Sequence, residues 1–413
     1  MNCINKQGVI VFVVIMLLTS ISTTAQETTL KNYGENSLSI NELMARALLT
    51  NPSVNSAQKK LEAAIARGRA LGQSLYNPNL DFEYENSEQV TKTIGLSQTI
   101  DWNGKRSANQ ELARVNTEKA RLEYKVVRNS LMSSIAKAIS NYERTTDLLA
   151  IKEKSLISAT KLSSFAQRRY SQGDITLKEL QTAKLALFRS QTEKNNALSS
   201  MLSSKQTLEA LTGIAAAQWS LEYLANLELP SLTNVSEYQS PVLLLSQLTY
   251  LEKKSEMEVA RKQRSVDPTV GVKYGKEGDN NIVGVNFSIP LPIRNNFKDS
   301  YIASSKEMKA AEFDFENRKR LFQANLFSNH SRITMLSKSW INWQNDSHQS
   351  LESQYELLFK LLENNEINTL NYLLEIDQLL QTEEAIVDMR FNLEIAWIDW
   401  FELTDNYKVW AEN

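Results

Sequence analysis

The chain has 413 residues, with 46 Lys and Arg against 48 Asp and Glu, two histidines and a single cysteine. Charges this evenly balanced and interspersed leave no basic face for nucleic acid, and one cysteine excludes a disulfide framework or a thiolate metal site. Twelve glycines and seven prolines are few for this length, so the fold is expected to be mainly α with a small β part.

The N-terminus reads as a secretory leader over residues 1–25. Lys6 is followed by an unbroken apolar run from Val9 to Leu18 and by small residues ending at Thr23, Thr24 and Ala25. Cys3 leaves with it. No later apolar run approaches the roughly 20 residues of a transmembrane helix, so an exported chain of this kind can cross a membrane only with strands.

The next unit, 26–225, begins with a helix after Pro52 and two alternating strands, Asn79–Glu85 and Thr91–Thr99. Leu80, Phe82 and Tyr84 point one way, and Asp81, Glu83 and Glu85 the other. From Lys105 to Gln172 there is neither glycine nor proline, which predicts one helix roughly 100 Å long. Leu131, Ile135, Ala138, Tyr142, Leu149 and Leu156 keep a spacing near 3.5, the seam of a left-handed supercoil. Gly173 can take the left-handed conformation that ends a helix, and Asp174 is expected to cap the next, which runs to Thr212 before Gly213. The two helices form an antiparallel hairpin with its tip at Gly173.

The unit is then written a second time. Pro52 recurs as Pro241, Pro78 as Pro268, Ile94-Gly95-Leu96 as Val283-Gly284-Val285, Gly173-Asp174-Ile175 as Asn365-Glu366-Ile367, and Leu211-Thr212 as Leu403-Thr404. The second repeat is set at 238–413, after a junction at 226–237. Its strands alternate through Val270, Val272 and Tyr274, then Val283, Val285 and Phe287. From Ile293 to the last residue it contains no glycine or proline. Leu351, Tyr355, Leu358 and Leu362 repeat the seam spacing before the second tip.

Four strands cannot close a barrel, whereas three chains supply twelve and can leave an aqueous lumen. The expectation is therefore a homotrimer with a periplasmic α-barrel and a 12-stranded transmembrane β-barrel. Asp81, Glu83, Glu85, Thr93, Ser97, Thr99, Thr269, Lys273, Asn286 and Ser288 would face the lumen, with the apolar faces on lipid. Tyr76, Tyr84, Trp102, Tyr274 and Phe297 would supply an interfacial girdle. Taken alone, the strands also fit small hairpins packed on the helices.

Leu48-Leu-Thr-Asn-Pro-Ser-Val54, a proline before each strand pair, Arg169-Tyr-Ser-Gln-Gly-Asp-Ile-Thr-Leu-Lys-Glu-Leu180 and Leu208-Glu-Ala-Leu-Thr-Gly213 together resemble the TolC-type outer-membrane channels of tripartite efflux pumps. Gln98–Arg106 and Phe287–Ile293 look most like the heavy-metal cation branch. The resemblance implies a trimeric exit duct for metal cations or small toxic compounds in a Gram-negative outer membrane, spanning into the periplasm, with a periplasmic adaptor and an inner-membrane pump, of RND type for this branch, as partners. It implies adaptor docking at Arg169, Tyr170, Gln172, Gly173, Asp174 and Glu179 of the first tip, and at Asn364, Asn365, Glu366, Ile367 and Asn371 of the second. Positions that carry an acidic ring in some relatives fall here on Asn371 and Leu374, with Glu179 and Glu375 as partial replacements. Two other readings stand beside the efflux duct: a channel for type I protein secretion, and a periplasmic coiled-coil scaffold without a barrel.

No phosphate loop, nucleophile elbow or metal-ligand spacing is present, so neither catalysis nor a cofactor or metal site is expected. His330 and His348 are assigned to one helix, too far apart along it to share an ion. Trp340, Trp343, Trp397, Trp400, Phe401 and Trp410 are read as packing knobs.

Overall fold

The computed structural model describes residues 39–215, 219, 221–230, 232, 240–346, 348–364 and 366–407. The leader, Asn365, Trp410 and half of the 226–237 junction lie outside these.

Short helix α1 (Ile40–Thr50) starts on a capping box between Ser39 and Glu42. Asn51 caps α2 (Pro52–Leu71), whose proline sits at the first helical position. Strands β1 (Asn79–Asn86) and β2 (Val90–Thr99) follow. Then comes α3 (Lys105–Ser171), 67 residues without a break, close to the expected extent. Its start is held by Asp101, whose carboxylate accepts from the Lys105 and Arg106 amides at 2.9 and 2.8 Å. The hairpin partner is α4 (Leu177–Thr212).

After a 3-10 turn at Glu222–Asn226 the pattern repeats: α5 (Pro241–Gln263), β3 (Thr269–Glu277), β4 (Asn280–Ser288), α6 (Lys298–Asp346), α7 (His348–Glu363) and α8 (Thr369–Thr404). The long helix of the first repeat is matched by α6 and α7, which flank residue 347, outside the described residues. His330 lies on α6 and His348 at the start of α7.

The four strands form one antiparallel sheet in the order β1-β2-β3-β4. Pairing of β2 with β3, from Thr91 opposite Glu277 to Thr99 opposite Thr269, joins the repeats.

Two apolar clusters hold the helices. One gathers α1, α3, α4, the 3-10 turn, α6 and α8 around Ile135, Ile139, Leu208, Leu224, Ile333, Leu393, Trp397 and Phe401. The other lies towards the hairpin tips, around Leu162, Ala166, Leu180, Ala183, Leu362, Tyr372 and Ile376. Between them the seam is small and polar. Thr145 meets Ser204 at 2.6 Å, and Ser155 meets Ser190 at 3.2 Å, all four buried. The expected seam therefore holds at Leu131, Ile135 and Ala138, but further along it runs through Ile151, Ser155, Ala159 and Leu162, with Leu149 and Leu156 flanking it half-buried. Small side chains let α3 and α4 approach closely while pairing their own hydroxyls.

Ion pairs tie the first repeat to the second along α3 and α8. Lys152 bonds Glu384 at 2.5 Å, Arg144 bonds Asp388 at 2.6 Å, and Arg390 reaches Asp147 at 2.5 Å and Glu143 at 3.5 Å.

Candidate functional site

The register divides the sheet into two chemically opposite faces. On one, Leu80, Leu96, Val272 and Val285 form a cross-strand row, and Phe82, Ile94, Tyr274 and Val283 form the next. These side chains are open to solvent in the single chain, with Val283 at 79% and Phe82 at 74%. An apolar patch of that size on a soluble monomer would be unusual.

The other face brings together all ten positions expected to share it. Glu83 accepts from Lys273 Nζ at 2.9 Å and from the Thr93 hydroxyl at 3.1 Å. Ser97 donates to Asp81 at 2.9 Å, and the Thr99 and Thr269 hydroxyls lie 2.8 Å apart. Glu85, Asn286 and Ser288 lie on the same face by register. Gly275 also sits here, where an added Cβ would lie 1.9 Å from the Lys92 carbonyl oxygen. Only a residue without a side chain permits that approach of β3 to β2.

Of the expected girdle, Tyr84, Trp102 and Phe297 are exposed. Tyr274 is exposed too, but belongs to the middle of β3 rather than its end. Tyr76 departs from the girdle. It is half-buried and donates its hydroxyl to Asp267 at 2.7 Å, and that bond, followed by burial, pushes its pKa up to about 12. Asp267 is buried, and also bonds Lys105 Nζ at 2.8 Å. Nothing in sequence spacing links residues 76, 105 and 267; the one signal was a carboxylate placed directly before the strand-opening Pro268.

Far along the helices the two tips share a closing bond. In the first, the Asp174 amide donates to the Arg169 carbonyl at 2.9 Å; in the second, the Glu366 amide donates to the Leu361 carbonyl at 2.9 Å. Gly173 has φ +81°, the left-handed conformation expected of it. The cap of α4 is Thr176 rather than Asp174. Thr176 and Glu179 form a capping box, while Asp174 turns back to Arg169 at 3.7 Å. Asn368, at the position matching Thr176, caps α8 and accepts from the Asn371 amide at 2.8 Å. Arg169 also lies over the Phe165 ring at 5.6 Å.

Tyr170, Gln172, Gly173, Asp174, Asn364, Glu366 and Asn371 are exposed, whereas Ile175 and Ile367 turn inward onto the apolar cluster beneath the tips. The Glu179 carboxylate is held below its ordinary 4.5 first by the Thr176 amide and then by the Thr176 hydroxyl. It serves the helix start, so it is not a free pore carboxylate. Leu374 is exposed, as is Glu375.

His330 meets the Pro230 carbonyl at 2.9 Å and lies 6.0 Å from the Trp400 ring. Trp340, Trp397, Trp400 and Phe401 are buried, with Trp397 and Phe401 stacked at 5.8 Å. Among the described residues no group of three or more His, Cys, Asp or Glu is arranged to hold a metal ion. Among them, too, no helix is long and apolar enough to cross a membrane.

This arrangement has known relatives. Residues 43–214 match the family model of the outer membrane efflux protein. The cobalt-zinc-cadmium resistance protein CzcC of Cupriavidus metallidurans is 23% identical over 290 residues, covering 67% of this chain and 68% of CzcC. The outer membrane channel CmeC of Campylobacter jejuni superposes with a TM-score of 0.72 at 14% identity, over 88% of this chain and 85% of CmeC. The outer membrane protein VceC of Vibrio cholerae gives 0.71 at 18% identity, over 88% and 96%. The first repeat thus carries the match to the outer membrane efflux protein model, and both repeats together have the fold of the outer membrane channels.

Proposed function

We propose that three copies of this chain close a twelve-stranded barrel in the outer membrane of a Gram-negative bacterium, forming the passive exit duct of a tripartite pump. The observation that carries the proposal is the four-stranded sheet, with two exposed apolar cross-strand rows on one face and two unpaired edges, β1 and β4. In hydrocarbon every backbone amide and carbonyl must be paired, so an open sheet can enter lipid only by closing with other copies. The helices support the same assembly. Phe313, Phe327 and Ile341 recur every fourteen residues on the exposed side of α6, and Leu185, Phe188 and Leu202 are exposed on α4; such faces call for cover by a neighbouring subunit.

The duct exports divalent metal cations, driven by an inner-membrane pump of the RND type through a periplasmic adaptor seated on the two tips. Two features support that cargo: the relative named for cobalt, zinc and cadmium resistance, and a polar sheet face on which Asp81, Glu83, Glu85 and Glu277 outnumber Lys273. A negatively charged lumen raises the local concentration of cations. The domain reading is a leader at 1–25 and duplicated units at 26–225 and 238–413 around the 226–237 junction.

The test is extraction of the mature protein from outer membranes in detergent, followed by mass measurement and planar-bilayer recording. A trimer that carries a cation-preferring current is expected. A freely dissolved monomer without conductance would overturn the reading in favour of a periplasmic scaffold.

A further inference from the structure

Inside the chain, β2 against β3 is the joint between the two repeats, and β4 and β1 are the corresponding strands left over at the outer edges. A second copy of this chain can seat its β1 on that β4 as β3 is seated on β2. The edges suit each other better than themselves. Side by side, two β1 edges would set Asp81, Glu83 and Glu85 against like charges, whereas β4 from Asn280 to Ser288 carries no acidic residue.

The internal joint then serves as a template for the register. Asp81 stands opposite Gly95, Gly95 opposite Lys273, and Lys273 opposite Gly284. Lys273 is the fifth residue after Pro268, and the fifth after Pro78 is Glu83. A row that enters the first repeat at Asp81 therefore enters the second at the counterpart of Glu83, two residues higher. The same step taken once more carries it from Gly284 to Glu85 of the next copy.

We infer that β4 of one copy pairs antiparallel with β1 of the next, with Gly284 opposite Glu85, Asn286 opposite Glu83 and Ser288 opposite Asp81. Phe287 then meets Phe82 on the apolar face, an aromatic cross-strand pair. On the polar face Ser288 and Asn286 offer donors to Asp81 and Glu83, as Ser97 and Thr93 do within the chain. Matching residue types alone leads to a different register. It equates Gly284 with Gly95, which faces Lys273, and so sets Gly284 against Glu83. Barrel geometry separates the two. Two residues at each of six joints make a climb of twelve around the ring, which tilts twelve strands by about 35° at about 3.3 Å per residue and about 4.8 Å between strands. In the other register the joints between copies add nothing, the climb is halved, and the tilt of about 19° falls short of the roughly 35–45° of membrane barrels. Closure at three copies, and with it the tilt, rests on the duct reading above; the template for the joint does not.

Paired cysteines test the register. In a Cys3→Ser background, Asn286→Cys is combined in turn with Asp81→Cys, Glu83→Cys and Glu85→Cys, and each full chain, purified in detergent, is oxidised with copper phenanthroline. Residues directly opposite on antiparallel strands have Cα atoms about 4.5–5.5 Å apart, within reach of a disulfide, whereas diagonal neighbours at about 7–8 Å are beyond it. The Glu83→Cys pair alone is expected to convert the chain to covalently linked trimers on a non-reducing gel. Linkage through Asp81→Cys or Glu85→Cys in its place means a slipped register and overturns the inference, as does the absence of linkage in all three. If the Glu83→Cys chain fails to fold, Ser288→Cys with Asp81→Cys decides alone: linked trimers support the register, and their absence refutes it. Trimers by mass that never link refute the register and keep the duct. Linked trimers that carry no current in planar bilayers keep the register and refute the duct.

Discussion

The two repeats share a backbone plan and differ in what they ask of it. Both hairpin tips close with the same amide-to-carbonyl bond, and both following helices start on a side-chain cap, at Thr176 and Asn368. Both hairpins also end in a left-handed residue, Gly213 at φ +68° and Asp405 at φ +57°. There the second repeat accepts the strain of a side chain, and the Asp405 carboxylate in turn takes Lys125 and the Asn129 amide. The strands diverge most. β1 is an edge with a glutamate at Glu85, whereas its counterpart β3 is central and carries Gly275 at the matching place, hard against the Lys92 carbonyl. Duplication supplied the hydrogen-bond frame, and position within the assembly then decided which side chains each copy could keep.

That contrast can be broken deliberately. The largest effect is expected from Gly275→Val, which forces a Cβ into the β2 backbone and should abolish assembly into protease-resistant oligomers. Glu85→Gly at the matching edge position should leave assembly intact. If both variants assemble alike, the edge-versus-centre distinction fails.

Next comes Gly173→Pro. Proline cannot adopt φ +81° and removes the amide that donates to the Tyr170 carbonyl at 3.0 Å. Pump-dependent metal resistance should be lost while exported oligomer remains at wild-type levels, measured by plating on zinc or cadmium and by blotting. Undiminished resistance would remove the first tip from the docking surface.

The smallest effect concerns pH. Glu179 is held below 4.5 by the capping box, so its contribution is present above that value and fades as pH falls through the lower, folded-state pKa. The second tip has Asn371 at the equivalent position, which does not titrate. Amide exchange over residues 176–180 should therefore quicken relative to 368–372 as pH drops from about 5 to 3, after correction for intrinsic rates. Parallel behaviour of the two tips would show that the carboxylate does not matter to the helix start.

Much of this fold could be read in advance, because strand faces follow a period of two and the breakers Gly173 and Gly213 mark where helices turn. All ten polar strand positions landed on one face for that reason. The misreadings share a physical origin: polar groups serving structure. The seam beyond Ala138 was misplaced because Thr145 and Ser155 carry no apolar signal although they are buried. Asp174 was taken for the cap although Thr176, with a glutamate three residues on, is the stronger starter. The Asp267 cluster draws on three distant segments that only the folded sheet brings together.

The pairing of β2 with β3 carries a consequence for how the molecule is made. Thr91 cannot find Glu277 until most of the polypeptide has emerged, and closing so distant a contact is entropically costly and slow. Throughout that interval Leu80, Phe82, Ile94 and Leu96 travel as an unfinished greasy ribbon in an aqueous compartment. On the export reading proposed above, the first strand pair calls for shielding until the second arrives.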